Sequence, residues 1–234
     1  MDSRALIKML LHIDVPSLSL FYTKRELYRD NVIRTPLVLR LDGVRFGRLL
    51  IDYEFRSIEV HNALTKAAKY IMRELGCECS YVISDEINVV CINYIAYRGR
   101  IEKLNSISSG IASSIVSLAL NRPLFFDSRV IKFYNDMETA RYILYRARIG
   151  FNNFVSELYH RITKRKYTPT LNKMIEELRE VDIDILAFEL WKILGSSVVK
   201  EFRLRSSGRR GWDFNTYDGY LKAIECIISN LVLG

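Results

Sequence analysis

Cysteine, histidine and long apolar runs are scarce in this chain of 234 residues, and each scarcity removes a class of function. The 4 cysteines, Cys77, Cys79, Cys91 and Cys226, lack paired C-x-x-C spacing. That argues against a zinc site and leaves buried reduced thiols as the expectation. Cys77 and Cys79 would point to the same side of a strand if both lie on one. The 3 histidines, His12, His61 and His160, are widely scattered, and each reads as a surface or packing residue rather than a ligand or catalytic base. No apolar run reaches the ~20 residues of a membrane span. The N-terminus lacks a signal-peptide pattern, so a cytoplasmic protein with no membrane partner is expected. There is no internal repeat and no low-complexity tract.

What the chain does have is positive charge, 35 Lys and Arg against 27 Asp and Glu, a net +8. Such an excess suits a polyanionic partner, because cations that neutralise phosphates release counterions. It also suits a merely soluble basic protein. Placement favours the first reading. Arg141, Arg146, Arg148, Arg161, Lys164, Arg165 and Lys166 crowd one region, and Lys200, Arg203, Arg205, Arg209 and Arg210 another. Tyr142, Tyr145, Tyr159 and Tyr167 interleave with the first cluster, as stacking faces for unpaired bases or as half-buried packing.

The most informative stretch is Tyr81-Val82-Ile83-Ser84-Asp85-Glu86-Ile87-Asn88-Val89-Val90, an acidic pair between two β-branched runs. It reads as a β-hairpin with carboxylates at its tip. A second strand, Leu37 to Leu41, ends in Asp42-Gly43. Taken singly, each is also an ordinary turn. Between them, Ala63, Leu64, Ala67, Ala68, Ile71, Met72 and Leu75 recur at helical spacing before Gly76. Leu104, Ile107, Ile111, Ile115 and Leu118 mark another helix, and Phe126 to Phe133 a closing strand. The order is βαββαβ, a ferredoxin-like unit whose four-stranded sheet is backed by two helices. Paired aspartates at its strand ends have the layout of a polymerase or cyclase palm, where hard divalent cations clamp attacking and leaving oxygens.

Leu39-Arg40-Leu41-Asp42-Gly43 with Phe46 resembles the "RLDG…F" motif of the tRNA-histidine guanylyltransferase family, 3′→5′ polymerases with guanylyltransferase-like relatives. Ser84-Asp85-Glu86 resembles its "SDE", and Ala67 to Leu75 its intervening helix. Phe126-Asp127-Ser128-Arg129-Val130 resembles "FDGRV", and Phe151-Asn152-Asn153-Phe154 stands where the family has "HINNLYN". The resemblance implies catalytic Asp42, Asp85 and Glu86, and two Mg2+ ions held by Asp42, the Gly43 carbonyl and Asp85. It places ATP or GTP, as substrates, against Gly43, Val44, Arg45, Phe46, Arg56 and Ser84. It implies tRNA as partner and a homotetramer built as a dimer of dimers; the candidate tRNA contacts are Arg129, Arg146, Arg148, Asn152 and Asn153 and, from the basic clusters, Arg161, Lys164, Arg165, Lys166, Arg209 and Arg210. The chemistry implied is activation of a tRNA 5′ end, then displacement by the 3′-hydroxyl of an incoming nucleotide.

Departures accompany the likeness. Gly150 stands in place of the family's "HINN" histidine, the basic "KPND" loop is reduced to Phe55-Arg56-Ser57-Ile58-Glu59, and no equivalent of the late "KNE" stands near Glu189. The chain therefore looks more like a 5′-end repair enzyme, adding nucleotides against a template, than a dedicated histidine-tRNA guanylyltransferase. A palm nucleotide cyclase and a non-catalytic RNA-binding protein are the alternatives. The expected organisation is an N-terminal helical segment (residues 1–34, with a helix over Ala5 to Leu11), a catalytic palm (35–137) and a mostly helical RNA-binding region (138–234). In the last, helices are expected over Glu138–Tyr145, Asn152–Ile162, Leu171–Leu178, Ile185–Leu194 and Tyr217–Leu231, a strand over Ser197–Leu204, and a basic loop over 206–211.

Overall fold

The computed structural model describes residues 3–204 and 210–229. The chain divides into two units, Met1–Asn31 and Val32–Gly234. The first holds helices α1 (Ser3–Leu11) and α2 (Val15–Thr23). The Asp14 carboxylate caps α2 by accepting from the Ser17 N–H, and Pro16 sits in its first turn, where no intrahelical donor is needed.

The second unit is built on strands β1 (Leu37–Gly43), β2 (Cys79–Ile83), β3 (Glu86–Cys91), β4 (Phe126–Lys132), β5 (Ser196–Leu204) and β6 (Arg210–Asp218). They form one sheet in the order β4-β1-β3-β2-β5-β6, with every neighbouring pair antiparallel. Helices α3 (Phe46–Leu49) and α4 (Ile58–Leu75) join β1 to β2, and α5 (Ile101–Leu120) joins β3 to β4. This is the expected βαββαβ palm, extended by the β5–β6 hairpin. After it come α6 (Asp136–Thr163), α7 (Leu171–Glu180), α8 (Leu190–Leu194) and the closing α9 (Leu221–Ser229).

The sheet is covered on both faces, which is why β1, β2 and β3 read as nearly continuous apolar runs. Leu37, Leu39 and Leu41 pack with Leu64, Ala68, Ile71, Ala112 and Val116 from α4 and α5. Val38, Tyr81, Ile83 and Val90 pack with Ala140, Ile143 and Ala147 of α6 and Ala223 and Ile227 of α9. The expectation of two backing helices covered only the first layer. A third cluster joins the second half of α6 to α7 and α8 through Phe154, Leu158, Tyr159, Met174 and Ile193.

Several expected boundaries move. The two helices expected on either side of Gly150 are one 28-residue helix, α6. Gly150 is no break there. It is the point of closest approach, where an added Cβ would stand 2.2 Å from Ile83 Cγ1. Ile185–Leu194 is a 3-10 turn (Ile185–Ala187) followed by the short α8, because Asp184 caps the turn and Phe188 then turns extended. Residues from Arg210 to Asp218 form β6 rather than a loop and helix start, since cross-strand pairs such as Phe202↔Trp212 and Lys200↔Phe214 outweigh their local polarity. Residues 206–209 of the expected basic loop lie outside the described residues. The reduced-thiol expectation fails at Cys77 and Cys91, which are disulfide-bonded with Cα atoms 4.3 Å apart. Cys77 belongs to the turn after α4, where its N–H bonds the Met72 carbonyl. It therefore faces the α4–α5 layer while Cys79 faces the other.

Replacing Gly150 by Ala is expected to cost about 1–3 kcal/mol, the usual cost of overpacking a filled core. The check is urea denaturation of the variant beside the unmodified protein.

Candidate active site

The hairpin β2–β3 has a two-residue tip, Ser84-Asp85, between the paired Ile83 and Glu86. Ser84 takes a left-handed backbone (φ 56°), costly for a residue with a side chain and found where surrounding structure enforces it. The Gly43 N–H donates to the Asp85 carbonyl at 3.2 Å, which fastens the end of β1 to the tip. Asp42 lies between Glu86 on one neighbouring strand and Asp127 on the other.

This end of the sheet is crowded with negative charge. Burial raises the Asp42 pKa, and Asp85 and Glu86 raise it further against the opposing pull of Arg40. Burial likewise raises Asp85, with the Ser84 side chain, its own backbone N–H and Arg56 acting the other way. A divalent cation between Asp42 and Asp85 would remove the repulsion, so the pair fits Mg2+, with Gly43 beside it. Among the described residues, no group of three or more His, Cys, Asp or Glu side chains is placed to hold a metal. Any ion here would take its remaining oxygens from water and substrate.

Glu86 differs from the two aspartates. It is 4% exposed and both oxygens are occupied: Arg40 Nε donates at 2.7 Å, Arg146 Nε at 2.8 Å, and Asn88 Nδ2 at 2.8 Å. A second Arg40 nitrogen donates to Asp42 Oδ2 at 3.1 Å. Arg40 thus spans both acids, and Arg146 ties α6 to the same carboxylate.

Two cavities meet at the tip, and Ser84 and Asp85 line both. The smaller, about 110 Å³, is bounded by Arg40, Asp42, Glu86, Arg146, Gly150 and Asn153. The larger, about 370 Å³, is bounded among others by Phe46, Arg56, His61, Glu157, Arg161 and Trp191. Arg56 has a left-handed backbone (φ 52°), and none of its three guanidinium nitrogens finds a hydrogen-bond partner although all are buried. Burial without a partner lowers its pKa, with Glu157 and Asp85 acting against that. An orphaned buried guanidinium is costly unless an anion completes it. His61 donates or accepts with Ser196 Oγ at 2.8 Å and stacks on Trp191 at 4.6 Å. Burial, then Arg56, takes its pKa down to about 4, so it is neutral at ordinary pH.

The expected site residues are therefore distributed unevenly. Asp42, Asp85, Ser84, Phe46 and Arg56 gather around the two cavities, with Asn153 and Arg161 at their rims. Gly43 ends β1, and Val44 and Arg45 form the turn after it, Arg45 with a left-handed backbone (φ 61°). Arg146 is mostly buried on Glu86 and is not part of an open basic surface. Arg165 is held by Glu177 and by the hydroxyls of Tyr159 and Tyr167. Tyr159 is fully buried and offers no stacking face. Arg129 pairs with Asp127, Arg148 bonds Asn152, and Lys164 and Lys166 are exposed. Arg209 lies outside the described residues, as does the Arg210 side chain. Sequence reasoning missed Arg40 as a bridge, and missed His61, Glu157 and Trp191 as cavity walls. For Arg40, alternation along β1 puts it on the Asp42 side and was a usable signal. Trp191 had none.

The family model described as Thg1, tRNAHis guanylyltransferase, matches residues 22–145, more than half of the chain. No curated protein matches the chain. Among solved structures, a bacterial tRNAHis guanylyltransferase (Thg1)-like protein in complex with ATP aligns with a TM-score of 0.73 at 20% identity, over 84% of this chain and 90% of that one. Such a protein in complex with GTP aligns with a TM-score of 0.75 at 18% identity, over 90% and 99%. The tRNAHis guanylyltransferase of Saccharomyces cerevisiae aligns with a TM-score of 0.65 at 17% identity, over 83% and 95%.

Because Asp42 and Asp85 have raised pKa values, their contribution to stability is present below the unfolded-state pKa, about 3.9, and is lost as pH rises through the folded values. At neutral pH without divalent cation, Asp42→Asn or Asp85→Asn should raise the melting temperature, by about 2–4 °C for each 1 kcal/mol of repulsion relieved. Added Mg2+ should stabilise the unmodified protein and leave both variants unchanged in a thermal melt.

Proposed function

The chain belongs to the tRNAHis guanylyltransferase family and is a nucleotidyltransferase, and from that premise we propose that it adds nucleotides to the 5′ end of tRNA in the 3′→5′ direction, directed by a template strand. The observation that carries this reading is the buried guanidinium of Arg56, whose nitrogens make no hydrogen bond, in a cavity that shares Ser84 and Asp85 with the carboxylate cleft. A nucleoside triphosphate with its phosphates on Arg56 would reach that cleft. The bound ATP and GTP of the similar bacterial proteins support the same substrates here.

In this reading Asp42 and Asp85, with the Gly43 carbonyl, would hold two Mg2+ ions, whose charge would offset that of the triphosphate and polarise its phosphorus. Arg56 binds and orients phosphate oxygens, and Phe46, His61 and Trp191 exclude water from the nucleotide cavity. Glu86 acts through Arg40, which fixes the Asp42 carboxylate. It is a positioning residue. The chemistry is in-line phosphoryl transfer, in which positioning and charge neutralisation supply most of the rate.

Template direction rests on Gly150. The family's histidine has no room there, because Ile83 fills the space a side chain would need. Without that hydrogen-bonding group, choice of nucleotide falls to base pairing. For RNA, exposed Lys164 and Lys166 lie beyond α6, and Phe202 and Trp212 are exposed side by side on β5–β6 with Lys200 4.7 Å over the indole. Such aromatic and cationic surfaces suit unpaired bases and phosphates. A homotetramer belongs to the same reading and rests on the family resemblance.

Incubation with labelled GTP, Mg2+ and a 5′-truncated tRNA should yield template-matched extension, faster by kcat/KM than addition to intact histidine tRNA. A cyclic nucleotide product would favour a cyclase, and binding without product an RNA-binding protein. Arg56→Gln should raise the KM for the triphosphate roughly 10- to 100-fold, as expected for losing a charged hydrogen bond of about 1.5–3 kcal/mol. Lys164→Glu with Lys166→Glu should weaken tRNA binding and reduce its salt dependence by about one unit of slope for each phosphate no longer neutralised. Filter binding across a salt series reads this directly.

A further inference from the structure

We propose that Cys79 and Cys226 are a second disulfide site, which straps the C-terminal helix α9 to strand β2 when the protein meets a small-molecule disulfide such as oxidised glutathione. The four cysteines sort into two pairs on opposite faces of the sheet. Cys77 and Cys91, on the α4–α5 side, are already joined. Cys79 and Cys226, on the α6–α9 side, are both reduced.

The seating of α9 on the sheet brings the reduced pair together. The Cys79 thiol donates to the Ala223 carbonyl at 3.8 Å, three residues before Cys226 on α9. After burial, Cys226 is the neighbouring side chain that does most to raise the Cys79 thiol. The first turn of α9 is pinned to β5, because Ser197 Oγ accepts from the Ala223 N–H at 3.1 Å and donates to the Gly219 carbonyl at 2.6 Å. Around the thiols pack Tyr81, Val199, Tyr220 and Ile227.

The asymmetry of the pair sets the order of events. Cys226 is partly exposed and Cys79 is buried. Burial pushes the Cys79 thiol well above its usual range, so it is a poor first nucleophile. The Cys226 thiolate attacks one sulfur of oxidised glutathione, forming a mixed disulfide and expelling one glutathione thiolate. Cys79 then loses its proton and attacks the Cys226 sulfur, which expels the second. The protein dithiol is oxidised by two electrons, the glutathione disulfide is reduced to two thiols, and the two protein protons pass to the released thiolates.

The test uses the full-length protein incubated with oxidised glutathione under native conditions, then denatured, alkylated and mapped by mass spectrometry of unreduced peptides. A Cys79–Cys226 cross-linked peptide should appear beside an unchanged Cys77–Cys91 peptide, and the melting temperature should rise. Cys226→Ser, near-isosteric and at a partly exposed position, should leave Cys79 alkylatable and the melting temperature unmoved by oxidant. A stable glutathione adduct on Cys226 with Cys79 still alkylatable, or cross-links from Cys79 to Cys77 or Cys91 instead, would overturn the proposal.

Discussion

The carboxylate of Glu86 is the contact on which this architecture turns. A buried carboxylate is expensive to desolvate, and it is tolerable only when its oxygens are met by well-placed donors. Here two guanidiniums and an amide meet them, drawn from β1, β3 and α6. The sheet end and the long helix are thereby held in one arrangement. Arg40, fixed on Glu86, reaches Asp42 as well, so the geometry of an acid at the site depends on a charge that is not free to act there. Removing either arginine would leave the buried carboxylate to the other guanidinium and the Asn88 amide, and removing Glu86 would leave Arg40 paired with Asp42 alone.

The larger cavity shows the complementary situation. Arg56 is buried in a strained backbone conformation with no hydrogen bond to its guanidinium, which lies over the Phe55 and Phe154 rings at 5.8 and 5.9 Å. Strain and unsatisfied polarity cluster where a ligand completes the structure. Glu86 is a charge whose hydrogen bonds are met from within and Arg56 one whose hydrogen bonds are not, and the Ser84-Asp85 tip lines the cavities beside both.

Much of the palm could be read from the chain because its signals are local. Alternation in β1, the acidic break between β2 and β3, and the apolar stripe of α4 each fall within one window. The ends of β5 and β6 and the unity of α6 were not legible in the same way. Gly150 looks like a helix breaker in sequence, and only the proximity of Ile83 shows it to be a packing necessity. The disulfide was missed for a related reason. Cys77 and Cys91 are brought together by the turn after α4 meeting the end of the hairpin, a juxtaposition that cysteine spacing does not encode. Arg56 was singled out in sequence, whereas its orphaned state is a fact of tertiary structure alone.

The added hairpin β5–β6 has a consequence for how the protein behaves among other chains. In a four-stranded palm, β2 would be an outer strand, with a row of unpaired backbone groups leading straight to the acidic tip. Here β2 is paired on both sides, and the free edges are β4 and β6. β4 carries Asp127, Arg129 and Lys132, and Asp213 and Asp218 mark β6. Charged edges discourage strand addition by another molecule. The strand that presents Asp85 is thus shielded from the intermolecular pairing to which an open sheet margin is prone.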